Sequence, residues 1–320
     1  DHNGSRGLGD VYKRQGQDLP LSAVVMINEI WHSTNMSFAT NNMLTQGAVE
    51  LLESHGNEKQ KEYYLPNLIS GKWSGTMNLT EPHAGSDLSS IKTKAIEKDK
   101  KFLIKGTKIY ITHGDQDMSD NIIHLVLAKL PNAPDGVKGI SLFLVPKYYL
   151  NDKGTKVKND IKVVSVEHKL GHHASPTCVL SFGENDGAVG ELVGEPNQGL
   201  KAMFTMMNNA RLNVGVQGLA ISERAYQKAL SFSKERIQGY SLNKTITGPV
   251  EIIKHPDVKR MLMEMKSQTE AMRGLTITTG NFIDKYKKFP NSPEGRECLF
   301  ISNLLTPIVK AWCTDQSIYI

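Results

Sequence analysis

Apolar residues recur at spacings of three and four from residue 21 to about residue 68. Met26, Ile30, Met36 and Phe38 lead into Met43, Leu44, Ala48, Leu51 and Leu52. That is the period of a helix burying one face. The run Glu53-Ser54-His55-Gly56 predicts its end, with Gly56 as the C-terminal cap. Asn57 then predicts the cap of a helix over 58–64, stopped ahead of Pro66 because the residue before a proline avoids helical backbone. Beyond Trp73 the period changes to short β-rich runs separated by turn residues. Residues 102–104 and 108–112 flank Lys105-Gly106-Thr107 as a hairpin, and 121–130, 139–145, 161–166 and 178–182 supply further strands. Short strands at this spacing predict a small barrel or sandwich.

After Glu195-Pro196-Asn197-Gln198-Gly199 the helical period returns and runs from 200 to about 238. At 1.5 Å per residue that helix would span roughly 58 Å, a length met in bundles where neighbours bury it. Gly215 and Gly218 lie inside it, and close approach by another helix or a ligand is the expected compensation for their cost. A loop over 239–254 leads to a second long helix starting near His255-Pro256-Asp257. A third begins near Pro293 and carries Leu299, Ile301, Leu304, Ile308, Val309 and Trp312. Its pattern runs on to Ile320 without a cap, so the chain is expected to end in mid-helix. Residues 1–15 show no periodicity and are set aside as a tail or foreign sequence.

Composition narrows the field. At 320 residues the chain can form two or three structural units sharing a sizeable core. No run approaches 18 apolar residues, so no membrane-spanning helix is expected, and the start has no signal-peptide core. The net charge of +5 suits an anionic ligand. Its Lys and Arg residues are spread along the whole chain, which argues against a nucleic-acid partner. Cys178, Cys298 and Cys313 are far apart, odd in number and lack metal-ligand spacing, which points to a reduced cytoplasmic compartment and to no metal.

Candidate chemistry sits where the helical period gives way to the β period, at Met77-Asn78-Leu79-Thr80-Glu81-Pro82-His83-Ala84-Gly85-Ser86-Asp87. Pro, Gly and hydroxyl residues packed this closely turn the chain sharply and present backbone N–H groups and small hydroxyls. An inter-domain turn would do the same.

The stretch fits the pattern Thr-Glu-Pro-X-Ala-Gly-Ser-Asp in full, and Lys108-Ile109-Tyr110-Ile111-Thr112-His113-Gly114 resembles Lys-X-[Trp/Tyr/Phe]-Ile-Thr-X-Gly. In that order and spacing the two motifs resemble the acyl-CoA dehydrogenase family, FAD enzymes that oxidise the α,β bond of acyl-CoA thioesters. Lys138 to Pro146, Glu167-His168-Lys169-Leu170-Gly171, Ser175-Pro176-Thr177, Asn208-Asn209-Ala210-Arg211 and Gly218-Leu219-Ala220 resemble later segments of the same family. The run 203–211 and Arg236-Ile237-Gln238-Gly239 are similar to a bacterial subgroup that includes the 3-methylmercaptopropionyl-CoA dehydrogenases. The resemblance covers 16–320. It implies an α+β fold: an N-terminal helical domain (16–72), a middle β-barrel domain (73–193) and an incomplete C-terminal helical bundle (194–320).

The resemblance also implies roles. Thr80 and Thr112 would donate hydroxyls to the flavin edge, Thr112 near N5. Tyr110 would pack its face beside the ring, with Ile111 between them. Met77, Leu79, Gly85 and Ser86 would bond flavin and pyrophosphate, and Ser86 would also touch the CoA. Asn208 and Arg211, three apart on one helix face, would bind the CoA moiety, although many family members carry Asp at the position of Asn208. Arg236 would reach the FAD of a neighbouring subunit, with Gly239 where an aromatic is usual. A general base must remove the α-proton. Glu81 is structural in the family and the alternative helix position is Ala210, so the base is expected beyond Ile320. Implied partners are an acyl-CoA, an electron-transfer flavoprotein and further copies of the chain in a homodimer or homotetramer. Two alternatives on the same fold are a DNA-contacting alkylation-response flavoprotein and a flavin monooxygenase.

Overall fold

The computed structural model describes residues 19–99, 101–151, 153–243 and 245–320. The lead over 1–15 lies outside them. The chain forms two compact units, Ser37–Ala210 and Pro20–Met36 with Arg211–Ile320. Helix α1 (Leu21–His55) contributes to both, and the division falls beside its one non-helical residue, Asn35 (φ −148°, ψ 92°).

In the first unit, α1 is followed by α2 (Glu58–Ile69), opened by a capping box in which Asn57 and Gln60 bond each other's backbone. The helix continues through Pro66 instead of stopping before it. Leu65 and Leu68 are buried and hold the last turn, while Glu62 and Pro66 are exposed, so the carbonyl that proline leaves unbonded faces water.

The strands that follow are β1 (Trp73–Asn78), β2 (Lys94–Lys98), β3 (Lys101–Thr112), β4 (Asn121–Lys129), β5 (Ile140–Pro146), β6 (Tyr148–Leu150), β7 (Lys156–Lys158), β8 (Ile161–Val166), β9 (Thr177–Phe182) and β10 (Ala188–Val193). Pairing runs from β2 to β4, β5, β10, β3 and back to β2, so the sheet closes as a barrel. Strand β1 adds to it in parallel beside β4, and β9 then β8 extend it beyond β3. Ile104, Ile111, Val126, Phe143, Val145, Leu180 and Phe182 fill the interior.

The hairpin expected over 102–112 is a single strand, β3. Gly106 is not a turn residue: a Cβ there would lie 2.3 Å from Thr93 Oγ1 and 2.8 Å from Thr93 Cα. Glycine lets β3 pass that close, and at this point the strand exchanges its partners β2 and β10 for β9.

The second unit is helical: the first part of α1, α3 (Gly199–Glu235) from Arg211 onward, α4 (Pro256–Lys288) and α5 (Pro293–Tyr319). Helix α3 ends at Glu235, short of the expected 238. Residues beyond it enter a small hairpin of β11 (Ile237–Tyr240) and β12 (Pro249–Glu251), where the Ile252 N–H donates to the Arg236 carbonyl at 2.8 Å. Both interior glycines of α3 meet α5: a Cβ on Gly215 would sit 2.4 Å from Val309 Cγ1, and one on Gly218 2.5 Å from the Cys313 carbonyl oxygen. Close helix approach is therefore their reason. The Asp284 carboxylate caps the start of α1, accepting from Leu21 N (2.6 Å), Ser22 N (2.9 Å) and Ser22 Oγ (2.8 Å). Among the described residues no helix is long and apolar enough to cross a membrane.

Candidate flavin-site wall

Strand β1 runs out at Asn78 into the motif loop, which closes on itself: Glu81 N–H donates to Ala84 O (2.9 Å) and Ala84 N–H to Glu81 O (3.0 Å). The Glu81 carboxylate points inward and accepts from Lys108 Nζ (2.9 Å), Thr93 Oγ1 (2.5 Å), Thr93 N (3.1 Å) and Lys92 N (2.7 Å). Lys108 Nζ also donates to the Leu79 carbonyl at 2.9 Å, and Ile109 N–H to the Thr80 carbonyl at 2.9 Å. These bonds clamp the loop onto β3.

Burial alone would raise the Glu81 carboxyl. The Lys108 charge and the hydrogen bonds from Thr93, Lys108 and Lys92 outweigh it and hold the group below its usual range. Burial pushes the Lys108 ammonium down to about 8 against the pull of Glu81. With its oxygens taken by four donors, Glu81 is a structural acid and not a proton acceptor for a ligand.

Next to the clamp, β3 bulges. Between the pairs Lys108↔Leu180 and Ile111↔Cys178, Ile109 and Tyr110 oppose Val179 alone. Tyr110 adopts left-handed backbone (φ 59°), an outlier for a bulky residue, and its side chain is 62% exposed. Three residues on, His113 is also left-handed (φ 50°) yet buried. Its N–H donates to Pro176 O (2.7 Å), and its Nε2 lies 3.1 Å from Ser175 Oγ and 3.2 Å from Ser37 O. Strain of this kind gathers where a fold presents a side chain to a ligand.

The geometry thus brings Leu79 and Thr80 against the bulge at Ile109 and Tyr110, with Ile111 and Thr112 next along β3. Thr80 and Thr112 are half-buried, and Gly85 and Ser86 lie exposed on the same loop. Met77 is half-buried, one residue short of the end of β1. The Ile111 side chain is in the barrel core, so only its backbone can face a ligand. Asn208 is exposed on the part of α3 in the same unit. Arg211 and Arg236 belong to the helical unit, where Arg236 Nη2 donates to Gln238 Oε1 at 3.0 Å.

Two features escaped the sequence analysis. The burial of Lys108 is one, since a lysine in a strand ordinarily faces water. A groove of about 710 Å³ beside the motif loop is lined by Lys92, Lys94, Lys129, Ile91, Ile96 and Pro134, among others. Lys129 Nζ ties it to the loop by donating to Ser89 O at 2.7 Å. In sequence these lysines look like any solvated strand edge.

The family model described as "Acyl-CoA dehydrogenase, middle domain" matches residues 76–184, a span holding the loop, the clamp and the bulge. Residues 197–296 match "Acyl-CoA dehydrogenase, C-terminal domain". The chain belongs to the acyl-CoA dehydrogenase family.

Within the family, the chain is 46% identical over 317 residues to a 3-methylmercaptopropionyl-CoA dehydrogenase of Ruegeria pomeroyi, covering 98% of this chain and 53% of that protein. It is 41% identical over 282 residues to a butyryl-CoA dehydrogenase of Syntrophomonas wolfei, covering 86% and 46%. Butyryl-CoA dehydrogenase from Megasphaera elsdenii superimposes with a TM-score of 0.72 at 25% identity, covering 96% of this chain and 74% of that structure. The chain spans about half the length of these curated relatives. In the acyl-CoA dehydrogenase fold, the helical N-terminal region, middle β domain and C-terminal helices follow in the order expected from the sequence.

Proposed function

We propose that the full-length protein carrying this chain is an FAD-dependent acyl-CoA dehydrogenase, converting an acyl-CoA thioester to its 2-enoyl-CoA. The observation that carries this reading is the wall formed by the motif loop and the Tyr110 bulge, locked by Lys108 and Glu81. The wall fits a flavin. An exposed aromatic held in strained backbone offers a face, and two half-buried threonines offer hydroxyls beside it. FAD, when bound, supplies the acceptor for the hydride that leaves the β-carbon.

The chain's own residues do the rest of the work on this side. Thr80 and Thr112 donate to the ring edge, Tyr110 covers a face and excludes water, and the Met77, Leu79 and Ile111 backbones line the site. Gly85 and Ser86 receive the pyrophosphate. Ser86, Asn208 and Arg211 bind the CoA, and the lysine groove beside Ser89 suits the phosphate-bearing end of that substrate. Arg236 serves the FAD of a neighbouring subunit in a homodimer or homotetramer. With its oxygens held in the clamp, Glu81 is not the base that takes the α-proton. Residues 16–72, 73–193 and 194–320 act as the three family domains. Electrons pass to an electron-transfer flavoprotein in the cytoplasm, and a 3-methylmercaptopropionyl thioester heads the substrates to try.

The test is reduction of the purified full-length protein's bound flavin by a panel of short thioether-bearing and straight-chain acyl-CoAs under anaerobic conditions. Loss of the oxidised flavin spectrum with one of them supports the reading; a flavin that none reduces contradicts it.

A further inference from the structure

The loop between β8 and β9 carries a cation that the proposed chemistry has not used. Lys169 Nζ donates to Thr177 Oγ1 at 2.9 Å and to the Ser175 carbonyl. None of the described ion pairs includes it, so its charge is directed at neutral oxygens. The Lys169 side chain is partly exposed, and what burial it has lowers its pKa.

The segment it grips is the one opposite the bulge. Thr177 is the direct antiparallel partner of Thr112, so the two side chains stand on the same face of the sheet, with Cβ atoms about 5 Å apart. The same contact is tied twice more, by His113 N–H to Pro176 O (2.7 Å) and by Ser175 Oγ against His113 Nε2 (3.1 Å). Because Thr177 Oγ1 accepts from Lys169, its own proton is free to point away from Lys169.

Other titratable groups here are His113, His172, Cys178, Glu167, whose N–H donates to the Thr177 carbonyl at 2.8 Å, and Asp115, which acts on Cys178 and is paired with Lys147. Burial holds both imidazoles below their usual range with the Lys169 charge adding to it, although the Ser37 carbonyl pulls His113 the other way. Burial raises the Cys178 thiol. Lys169 is therefore the cation of this cluster.

We propose that Lys169 is a positioning residue for the redox step: acting through Thr177, it orients the Thr177 hydroxyl beside Thr112 and supplies positive potential where negative charge arrives. The inference rests on Thr112 contacting the flavin. A fixed charge preorganised beside a site of developing charge stabilises the charged state without reorganisation. Its effect falls on the reduced cofactor and leaves the fold's core untouched.

The experiment uses the full-length protein with FAD and compares wild type with Lys169→Met, Lys169→Arg and Thr177→Val. FAD affinity, apo-protein melting and midpoint potential are read for each. Lys169→Met should lower the equilibrium constant for flavin reduction about tenfold, which is about 30 mV for a two-electron couple. Lys169→Arg should stay within about twofold of wild type, since it keeps the charge. Thr177→Val, which keeps the shape and removes the relay, should shift the potential in the same direction as Lys169→Met. An FAD-loaded Lys169→Met at the wild-type potential overturns the proposal. If that variant fails to fold or to hold FAD, an unshifted Thr177→Val overturns it instead. A wild-type protein that binds no FAD refutes the flavin reading itself and this inference with it, a result distinct from loaded variants with unmoved potentials.

Discussion

Lys108 Nζ lies 2.9 Å from Glu81 Oε1, and both side chains are buried, at 0% and 3% exposure. The pair joins the motif loop to the strand that carries Tyr110, and the same ammonium holds the Leu79 carbonyl. Removing one partner of a buried pair leaves the other charge uncompensated, typically at a cost of several kcal/mol. Lys108→Met should therefore destabilise the barrel unit by about 3 kcal/mol in denaturant unfolding. Adding Glu81→Gln to that variant should recover part of the loss. A double mutant no more stable than Lys108→Met would show that the ion pair is not what Glu81 needs.

Tyr110 should trade stability for binding. Asparagine tolerates left-handed backbone better than an aromatic does, and little apolar burial is lost at a 62% exposed ring. Tyr110→Asn should stabilise the apo chain by about 1 kcal/mol while weakening FAD binding. Thermal melts and flavin titrations check both halves, and a variant that melts earlier would remove strain from the account.

How far these features could be read in advance differs by type. Barrel, bundle and motif loop were legible because each rests on local periodicity or on a fixed string of residues. The hairpin reading failed at Gly106, where glycine serves a close pass of β3 by Thr93, a contact between segments that spacing cannot reveal. Pro66 does not stop α2, because two buried leucines outweigh one lost hydrogen bond on an exposed face. Gly215 and Gly218 signalled close approach correctly, but only the structure names α5 as the neighbour. At the candidate site, Thr80, Tyr110 and Thr112 came from motifs. The burial of Lys108 and the gathering of Lys92, Lys94 and Lys129 in one groove depend on tertiary packing, to which lysines in a strand pattern give no clue.

Acid should weaken the barrel through His124. Its ring is buried, with Nδ1 2.7 Å from Thr76 Oγ1 and an edge-on contact to Phe182 at 5.8 Å, and burial pushes its pKa down to about 3. The unfolded imidazole takes up a proton below about 6.5 while the folded one stays neutral until about 3. Between these values the unfolded state holds the extra proton, so stability falls as pH falls, by up to ~1.4 kcal/mol per pH unit from this group. Unfolding titrations from pH 7 to 4 should show a shallower slope for His124→Gln than for wild type. Equal slopes would place the protonation elsewhere.

Gly218 is the sharpest packing test in the helical unit. Gly218→Ala gains about 1 kcal/mol of helix propensity. It also drives a Cβ to 2.5 Å from the Cys313 carbonyl oxygen on α5. The clash should win, for a net loss of about 1–2 kcal/mol on chemical denaturation. A stabilised variant would mean that α3 and α5 do not pack this closely.

The central claim is that the loop over 79–86 and residues 110–112 of β3 form one wall of a flavin site. It is tested most directly by FAD titration of the full-length protein against Thr112→Val and Tyr110→Ala, followed by flavin fluorescence and absorbance. FAD bound stoichiometrically by wild type, with affinity lowered at least tenfold in both variants and apo melting unchanged, is the predicted result. Wild-type affinity in both variants would contradict the account.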